Sequence, residues 1–300
     1  MKKQNNYLAI DIGGSFIKYG IVSSEYRILS KFKKETKRFS DSDAFVDYLL
    51  EGIDDIFCAI CVSVPGIVKE SRYISSNPNG KLSCLHKVDL VKAIQEHIDT
   101  PVYVCNDGVA AAICEYEFGS GKETTNFLML TIGTALGGAV YIDGKLYRGM
   151  DDVVGEFSGI PISYNDDGSM QRLASICSVN TLLEKYSLAS GSYFQDAKTI
   201  ISLAKNEDIL ANKILTDWCK NIVLALSILA LCYNPQIICI GGGVSADEWF
   251  CSKLIDTYLR SATPFKGRIK TQIMRGMYQN DANLLGTILA YEGDLNKCIQ

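Results

Sequence analysis

The chain has 300 residues, of which 47% are apolar and 21% are charged, and its formal net charge is −4. This composition is typical of one or two globular domains with a hydrophobic core and excludes an intrinsically disordered chain. The pI near 5.4 and the scattered Lys and Arg residues argue against a basic surface, so we expect no nucleic-acid partner. The one basic run, residues 31–38, is typical of a solvated edge strand, where lysines block stray strand pairing.

No segment of the sequence is typical of a secreted or membrane protein. Residues 1–6 are mostly polar and lead directly into an apolar strand, without the apolar stretch of a signal peptide. The longest apolar run, residues 222–232, is shorter than the ~20 residues that span a bilayer. We therefore expect a cytoplasmic protein with no membrane partner.

The cysteines and histidines do not form a recognisable metal site. The eleven cysteines, an odd number, lie mostly within apolar runs, as free thiols do in a reducing compartment. Cys58 and Cys61 form a CxxC pattern, but they lie in a strand-like run, where residues three apart face opposite sides. His86 and His97 are the only histidines, and neither has a suitably spaced partner. The sequence therefore favours neither a redox motif nor a His-rich metal site.

The first half of the chain is predicted to open with an antiparallel meander and to continue with alternating helices and strands. Continuous apolar runs bounded by turn residues predict the strands, and apolar residues at helical spacing predict the helices. The meander comprises residues 7–12, 16–22 and 26–32; strands follow at 56–64 and 102–105, and helices at 40–53, 88–98 and 107–118.

The second half begins in a similar way and then becomes mostly helical. Strands are predicted at residues 127–132, 137–142 and 145–148, with Asp143-Gly144 as a hairpin turn between the last two. The remaining predicted elements are helices at 171–186, 196–205, 207–233, 246–261 and 281–291, and strands at 236–240 and 268–274.

The two halves share a repeated pattern. Ile10-Asp11-Ile12-Gly13-Gly14 resembles Leu130-Thr131-Ile132-Gly133-Thr134, and each leads from an apolar strand through a turn to a second strand. A slip of two residues then aligns Gly20-Ile21-Val22 with Gly138-Ala139-Val140. We therefore expect an α/β fold with two related domains that face each other across a cleft, where small molecules usually bind. A chance similarity of two glycine-rich hairpins is the alternative.

The segment Asp11-Ile12-Gly13-Gly14-Ser15 is a candidate phosphate loop. Its two glycines allow backbone N–H groups to approach an anion, and the Ser15 hydroxyl adds a donor. Asp11, at a strand end, can hold Mg²⁺ or its waters. An ordinary hairpin turn would use the same residue types. Because GxxxxGK[ST] is absent and no GxGxxG follows a strand, neither a P-loop nor a dinucleotide fingerprint applies.

Two segments of the second half are candidate nucleotide-binding loops. The second domain would offer a triphosphate the hydroxyls and backbone amides of Thr131, Gly133 and Thr134. Gly241, Gly242 and Gly243 follow a buried strand and would leave a flat surface for adenine or ribose. Alternatively, these three glycines only form a tight turn between a strand and a helix.

Asn106 and Asp107 lie at the end of one predicted strand and the start of a helix. Ligands of α/β sheets bind at such strand ends, and phosphoryl transfer needs a group that accepts the hydroxyl proton. Asp107 suits that role, and Asn106 could hold a neighbouring sugar hydroxyl. Because Asp and Asn both favour the first position before a helix, a simple helix cap is the alternative.

In order and spacing, these segments resemble the ROK family (repressor, open reading frame, kinase) of the actin-like ATPase superfamily of sugar kinases. The resemblance covers essentially the whole chain, and it implies two related actin-like (ribonuclease H-like) domains around a central cleft. The matching segments are residues 11–15, Val64-Pro65-Gly66, Asn77-Pro78-Asn79-Gly80, Asn106-Asp107, residues 130–138, Gly155-Glu156, residues 241–244 and Asn283-Leu284-Leu285-Gly286.

The resemblance also implies an activity and a division of labour. It implies transfer of the ATP γ-phosphate, with Mg²⁺, to a sugar 6-hydroxyl whose proton Asp107 accepts, and it implies a homodimer. The sugar and phosphate domain would span residues 1–119, completed by helix 285–300, and the nucleotide-binding and dimerisation domain residues 120–284. The implied sugar-binding residues are Gly66, one of Asn77 and Asn79, Asn106 and Glu156.

The chain departs from the family where many members have Gly-Glu-x-Gly-His followed by a zinc motif. Gly159 stands at the histidine position, and Ile162, Tyr164 and Ser169 stand at cysteine positions, so we expect no structural zinc. Gln171 replaces the glutamate that ends the motif, and it keeps an acceptor while losing the charge. We expect Gln171 to bind the sugar as well.

These replacements bear on the substrate, because in the family that His and that Glu lie near the C1 and C2 end of the sugar. Gly159 removes bulk there, which favours a β-glucoside of the cellobiose type, phosphorylated at the 6-position of its distal glucose. The alternative is a free hexose or an N-acylhexosamine such as N-acetylmannosamine. A non-catalytic sugar sensor is a further alternative, whereas a DNA-binding repressor is disfavoured because the first strand begins by residue 7.

Overall fold

The computed structural model describes residues 6–53, 56–78, 80–262, 265 and 267–299. The chain divides into two compact units. Unit 1 comprises Met1–Cys114, Gly149–Val153 and Asp281–Gln300, and unit 2 comprises Glu115–Arg148 and Val154–Asn280.

The described chain contains both runs of consecutive strands or helices and stretches where the two alternate. The strands are β1 (Asn6–Ile12), β2 (Phe16–Ser23), β3 (Ile28–Glu35), β4 (Ile60–Val64), β5 (Val68–Lys69), β6 (Tyr73–Ile74), β7 (Val102–Asn106), β8 (Phe127–Ile132), β9 (Leu136–Ile142), β10 (Lys145–Tyr147), β11 (Pro161–Tyr164), β12 (Met170–Arg172), β13 (Ile237–Gly241) and β14 (Gln272–Arg275). The helices are α1 (Ser42–Leu50), α2 (Leu90–Gln95), α3 (Asp107–Glu117), α4 (Ala174–Cys177), α5 (Val179–Ser190), α6 (Ala197–Lys205), α7 (Ile209–Tyr233), α8 (Glu248–Arg260) and α9 (Ala282–Ile299).

Unit 1 is built on a five-stranded sheet with the order β3-β2-β1-β4-β7. The antiparallel meander β1-β2-β3 is confirmed, and β4 runs parallel to both β1 and β7. The inner strand β4 is buried along its whole length, which explains its continuous apolar sequence. The core packs sheet residues such as Ile10 and Val62 against helix residues such as Phe45, Leu49 and Ile94.

Unit 2 repeats this architecture with the order β10-β9-β8-β13-β14. Strands β8, β9 and β10 form antiparallel neighbours, and β13 runs parallel to both β8 and β14. The long helix α7 supplies much of the core through Trp218, Ile222 and Leu226. The expected α/β fold with two related domains is therefore confirmed, each domain carrying its own mixed sheet.

The strand registers correct one detail of the predicted repeat. Gly20 lies opposite Ala9 in unit 1, whereas Ala139, not Gly138, lies opposite Met129 in unit 2. The slip between the repeats is therefore one residue and not two. Its cause is the hairpin loop, since four residues separate the pair Ile12–Ile17 and three separate the pair Ile132–Leu136.

The predicted helix at 171–186 was wrong at its start. Gln171 lies in β12, which pairs with β11 in a hairpin, and cross-strand pairing there overrides helical spacing. The helical part divides at Ser178, whose ψ of 156° is extended and whose hydroxyl accepts from the N–H of Thr181, so α5 begins afresh. The short hairpins β5–β6 and β11–β12 were missed, because strands of two to four residues leave little periodicity to detect.

Several other predicted boundaries were shifted by local backbone geometry. Tyr26 has a φ of 59° and lies in the turn before β3, so this strand starts two residues later than predicted and extends to Glu35. Glu207 has a φ of 64°, and the Asp208 carboxylate accepts from Ala211 N–H at the start of α7. Strands β4 and β14 are shorter than the predicted runs 56–64 and 268–274.

Among the described residues, α7 is the one helix long and apolar enough to cross a membrane by length and composition. Half of its most apolar window is buried inside the protein, and α7 contacts α4, α5, α6 and α8. Core helices of soluble proteins have the same composition, and packing within unit 2 accounts for the buried half of this window.

Candidate active site

Three parallel strands of unit 1 end side by side and bring several predicted residues to one edge of the sheet. The register places Asp11 of β1 opposite Ser63 of β4, and Val64 of β4 opposite Asn106 of β7. Gly13 and Asp107 follow the ends of β1 and β7 directly, and Gly66 follows β4 after Pro65. Strand carboxyl ends are where α/β sheets bind ligands, so this edge is the candidate site of unit 1.

Asp11 is buried, with 4% of its surface exposed, and three side chains donate hydrogen bonds to its carboxylate. Ser63 Oγ (2.9 Å) and Asn283 Nδ2 (2.8 Å) donate to Oδ1, and Lys18 Nζ lies 3.0 Å from Oδ2. These donors fix the position of the Asp11 carboxylate, and the Lys18 ammonium places a positive charge beside it. Ionised carboxylates have about four acceptor sites, so Asp11 retains capacity to accept from a metal-bound water.

The roles of Lys18, Ser63 and Asn283 were missed by sequence reasoning. Lys18 is on the neighbouring strand and could have been found, because hairpin pairing of β1 with β2 places it opposite Asp11. Asn283 stands 272 positions from Asp11 and reaches it from α9, which only the tertiary fold reveals.

Asn106 and Asp107 have different structural roles. Asn106 caps α3, because its Oδ1 accepts from the N–H of Val109 at 3.0 Å, and its Nδ2 donates to the Gly66 carbonyl at 3.0 Å. Asp107 is the first helical residue, is half-buried, and accepts from the N–H of Gly108 at 2.8 Å through Oδ1. The cap that sequence reasoning held open as an alternative for either residue is therefore formed by Asn106.

Gly66 lies in a tight loop whose backbone requires glycine. Its φ is 99°, and a Cβ placed there would lie 2.6 Å from Ser76 Oγ. That hydroxyl accepts from Ile67 N–H at 2.7 Å, so Ser76 holds the loop from the opposite side. Asn77, the next residue, is exposed, and Asn79 lies outside the described residues.

In unit 2 the equivalent strand ends bring the predicted nucleotide loops together. Thr131 of β8 pairs with Gly241 of β13, just as Asp11 pairs with Ser63 in unit 1. Thr131 is half-buried and Thr134 is exposed, and the Gly133 N–H donates to the Ala135 carbonyl at 2.9 Å to close the hairpin. The second candidate phosphate loop is thus also a hairpin turn, one residue shorter than the first.

The three consecutive glycines have separable structural reasons. A Cβ at Gly241 would overlap the Met129 side chain, and one at Gly242, where φ is 85°, would overlap the Ile132 backbone. A Cβ at Gly243 would meet open space, and both Gly242 and Gly243 are exposed. A tight turn explains the first two glycines, whereas the exposed backbone of the last two could carry a flat ligand.

Arg275 holds the far end of this glycine loop and was missed from the sequence. Its guanidinium donates to the carbonyls of Ser245 (2.7 Å) and Ala246 (3.2 Å) and pairs with Glu248 at 2.6 Å. Such a fork of donors in a fixed plane orders the backbone that it binds.

The residues that flank Glu156 pack against the β8–β9 hairpin of unit 2. Gly155, with a φ of 105°, packs so closely on the Gly138 carbonyl that a Cβ would overlap it. Ser158 Oγ accepts from the Leu136 N–H at 2.7 Å and donates to the Leu136 carbonyl at 2.8 Å. Burial raises the pKa of the Glu156 carboxyl, which is the perturbation expected of a functional carboxylate in a desolvated position.

The residues that the sequence analysis aligned with the family's zinc motif lie in the hairpin β11–β12. Its turn is closed by hydrogen bonds among Asn165, Asp167 and Ser169, including Asn165 Nδ2 to Ser169 Oγ at 2.8 Å. In the part of the chain that the structure describes, no group of three or more His, Cys, Asp and Glu residues could hold a metal. Gln171 is half-buried in β12, and Gly159 is exposed, with open space where a Cβ would lie.

The predicted site residues therefore gather in two sets. Unit 1 contains Asp11, Gly13, Gly14, Ser15, Gly66, Asn77, Asn106 and Asp107. Unit 2 contains Thr131, Gly133, Thr134, Glu156, Gln171, Gly241, Gly242 and Gly243.

Comparison with known proteins matches nearly the whole chain. The sequence model of the ROK family matches residues 7–292. The β-glucoside kinase of Listeria monocytogenes is 26% identical over 298 residues, which cover 96% of this chain and 98% of that protein. An N-acetylmannosamine kinase of Escherichia coli is 24% identical over 297 residues, which cover 96% of this chain and 98% of that protein.

Solved structures show the same fold. A ROK family protein of Streptococcus pneumoniae, solved with sucrose, superposes with a TM-score of 0.84 at 22% identity, covering 97% of this chain and 99% of its own. A ROK family glucokinase of Streptomyces griseus, solved with glucose and AMPPNP, superposes with a TM-score of 0.81 at 26% identity. The glucokinase match covers 94% of this chain and 97% of that one.

Proposed function

This chain belongs to the ROK family, and from that premise we propose that it is an ATP-dependent sugar kinase that phosphorylates a sugar 6-hydroxyl. The observation that carries the proposal is the strand-end geometry of Asn106 and Asp107 in unit 1. Asn106 forms the helix cap and also binds Gly66, so capping α3 does not require the Asp107 carboxylate. That carboxylate lies half-buried at the start of the helix, at the sheet edge where ligands bind.

Asp107 is proposed as the general base that accepts the proton of the 6-hydroxyl during phosphoryl transfer. This reaction depends mainly on positioning and charge stabilisation, and a positioned carboxylate contributes typically 10²–10⁴-fold, roughly, to such proton transfers. The sugar hydroxyls are assigned to Gly66, Asn106 and one of Asn77 and Asn79, together with Glu156 and Gln171 of unit 2.

The ATP phosphates are assigned to the two hairpin loops. Gly13, Gly14 and Ser15 of unit 1 and Thr131, Gly133 and Thr134 of unit 2 offer backbone N–H groups and hydroxyls, which bind phosphate oxygens. Gly241, Gly242 and Gly243 are assigned to the adenosine. The Lys18 ammonium beside Asp11 adds positive charge next to the first loop.

Asp11 is proposed to hold Mg²⁺ through water. Its carboxylate already accepts from three side chains, so it fits a water-mediated contact better than direct coordination. Mg²⁺ usually keeps several waters and binds through one or two carboxylates and the substrate phosphates, where it neutralises the charge on the transferred group.

For the substrate, we favour a β-glucoside of the cellobiose type. The support is Gly159, which is exposed and leaves open space where a side chain would lie. A free hexose or N-acetylmannosamine is the alternative, and the β-glucoside and N-acetylmannosamine kinases match this chain at nearly equal identity.

A panel of sugars with ATP and Mg²⁺, followed by ADP release, tests this proposal. We expect turnover of glucose, methyl β-glucoside and cellobiose, and none of 6-deoxyglucose, which lacks the accepting hydroxyl. NMR of the product should place the phosphate on the 6-oxygen. Turnover of N-acetylmannosamine and glucose with rejection of every glycoside would support the alternative substrate. If ADP were released with none of the sugars in the panel, the result would instead favour a non-catalytic sugar sensor.

A cytoplasmic location and a homodimer complete the proposal. The homodimer rests on the family resemblance, whereas the cytoplasmic location is the expectation drawn from the sequence itself. Light scattering during size exclusion at several protein concentrations would measure the oligomeric state, with a mass near twice 33.0 kDa expected.

A further inference from the structure

The first candidate phosphate loop, residues 13–15, receives little support from packing. Gly14 and Ser15 are exposed, and a Cβ built on Gly14 would meet no atom within 4 Å. Within the loop, the Gly13 N–H donates to the Phe16 carbonyl at 3.0 Å. A loop with so few packing contacts depends on hydrogen bonds to keep its donors aimed at a ligand.

Thr36 supplies two such hydrogen bonds from beneath the loop. It follows β3 directly and is fully buried, with 0% of its surface exposed. Its N–H donates to the Ser15 carbonyl at 3.0 Å, and its Oγ1 donates to the Gly13 carbonyl at 2.6 Å. The backbone bond continues the pairing of β2 with β3, whereas the side-chain bond is specific to a hydroxyl residue.

The bond to Gly13 determines where the next amide points. The peptide group between Gly13 and Gly14 is planar and trans, so its C=O and N–H point in opposite directions. Because the carbonyl is drawn towards buried Thr36, the Gly14 N–H is directed away from Thr36 and the protein interior. A phosphate oxygen on the exposed side of the loop would meet this N–H.

We propose that Thr36 is a positioning residue for ATP, whose hydroxyl fixes the Gly13–Gly14 peptide so that the Gly14 N–H faces the phosphates. This inference rests on the proposed kinase function, and it adds a residue that neither the loop motif nor the family comparison assigns. Valine would fill the same buried volume without donating, and serine would donate with one methyl group fewer.

The test compares Thr36→Val with Thr36→Ser in the full-length protein. The dissociation constant of a non-hydrolysable ATP analogue with Mg²⁺ is measured by calorimetry, alongside those of adenosine and the sugar. We expect Thr36→Val to weaken the ATP analogue about tenfold, since the partly buried Gly13 carbonyl loses its donor, and Thr36→Ser to stay within about threefold of wild type. Adenosine and sugar affinities should not change, and the KM for ATP should rise more than kcat falls.

Thr271→Val is the matched control. Thr271 is also buried, and its hydroxyl donates to a backbone carbonyl, that of Pro235, at 2.7 Å. It precedes β14, at the sheet edge of unit 2 opposite to Gly241, so its loss should leave ATP affinity unchanged. If Thr36→Val does not fold, Thr36→Ala replaces it as the variant without a hydroxyl.

Wild-type ATP affinity in Thr36→Val, or equal losses in Thr36→Ser and Thr36→Val, would overturn the positioning role. A parallel loss of sugar affinity would also overturn it, because general damage to unit 1 would affect Gly66 and Asn106 as well. Failure of the wild-type protein to bind ATP would instead overturn the proposed function on which the inference rests.

Discussion

Two substitutions of Asn106 test the two hydrogen bonds of its side chain separately. Asn106→Asp keeps an oxygen that caps α3 through Val109 N–H and removes the donor to Gly66. Loss of the hydrogen bond to Gly66 lowers the free energy of unfolding by about 1 kcal/mol. The negative charge that Asp adds at the N-terminus of α3 raises it by about 0.3–1 kcal/mol. Asn106→Ala loses the cap as well, which adds about 1 kcal/mol, so we expect a total near 2 kcal/mol.

Urea unfolding followed by circular dichroism measures these costs, and the coupled assay measures the KM for sugar. Both variants should raise the KM about fivefold, the equivalent of about 1 kcal/mol, because the Gly66 loop loses its anchor. Asp196→Ala is the control, since Asp196 caps α6 through Thr199 N–H and bears no proposed role. Equal destabilisation by Asn106→Asp and Asn106→Ala, or an unchanged KM in both, would refute the reasoning.

Two further substitutions test the residues assigned to unit 2. Glu156→Gln removes a carboxyl whose pKa burial raises. Between the ordinary and the raised pKa the folded state binds a proton that the unfolded state has lost, so wild-type stability falls as pH rises through that window. Thermal unfolding of Glu156→Gln should lack this fall, while sugar KM rises; a parallel pH dependence in both proteins would contradict the assignment. Gly159→His fills the open space at Gly159 and should lower kcat/KM for methyl β-glucoside about tenfold or more relative to glucose; an unchanged ratio would count against the open pocket.

Local patterns predicted the strand ends that carry the candidate site, because buried parallel strands and glycine turns have strong signals in sequence. Asp11 and Asn106 were expected at strand ends, and the registers place them along one sheet edge, where Asn106 also binds the Gly66 carbonyl. The repeat was recognised, yet its slip was wrong by one residue because hairpin loop length is not encoded in the matching strands.

Contacts distant in sequence could not be predicted in this way. Asn283 reaches Asp11 from the last helix, and Arg275 reaches the glycine loop from a neighbouring strand. Gln171 was expected in a helix and lies in a hairpin, because three residues carry too little periodicity to distinguish the two. Asn283 and Arg275 support the site, whereas Gln171 is itself one of the residues proposed to bind the sugar.

Asp107→Asn tests the central claim most directly, since asparagine keeps an oxygen for the Gly108 N–H but cannot accept the sugar proton at neutral pH. Single-turnover phosphoryl transfer should slow by about 10²–10⁴-fold, while the affinities for sugar and ATP are retained. The control Asp196→Asn, at the start of α6, should transfer phosphate at the wild-type rate. Transfer by Asp107→Asn at a rate near that of the wild type would show that this carboxylate is not the base.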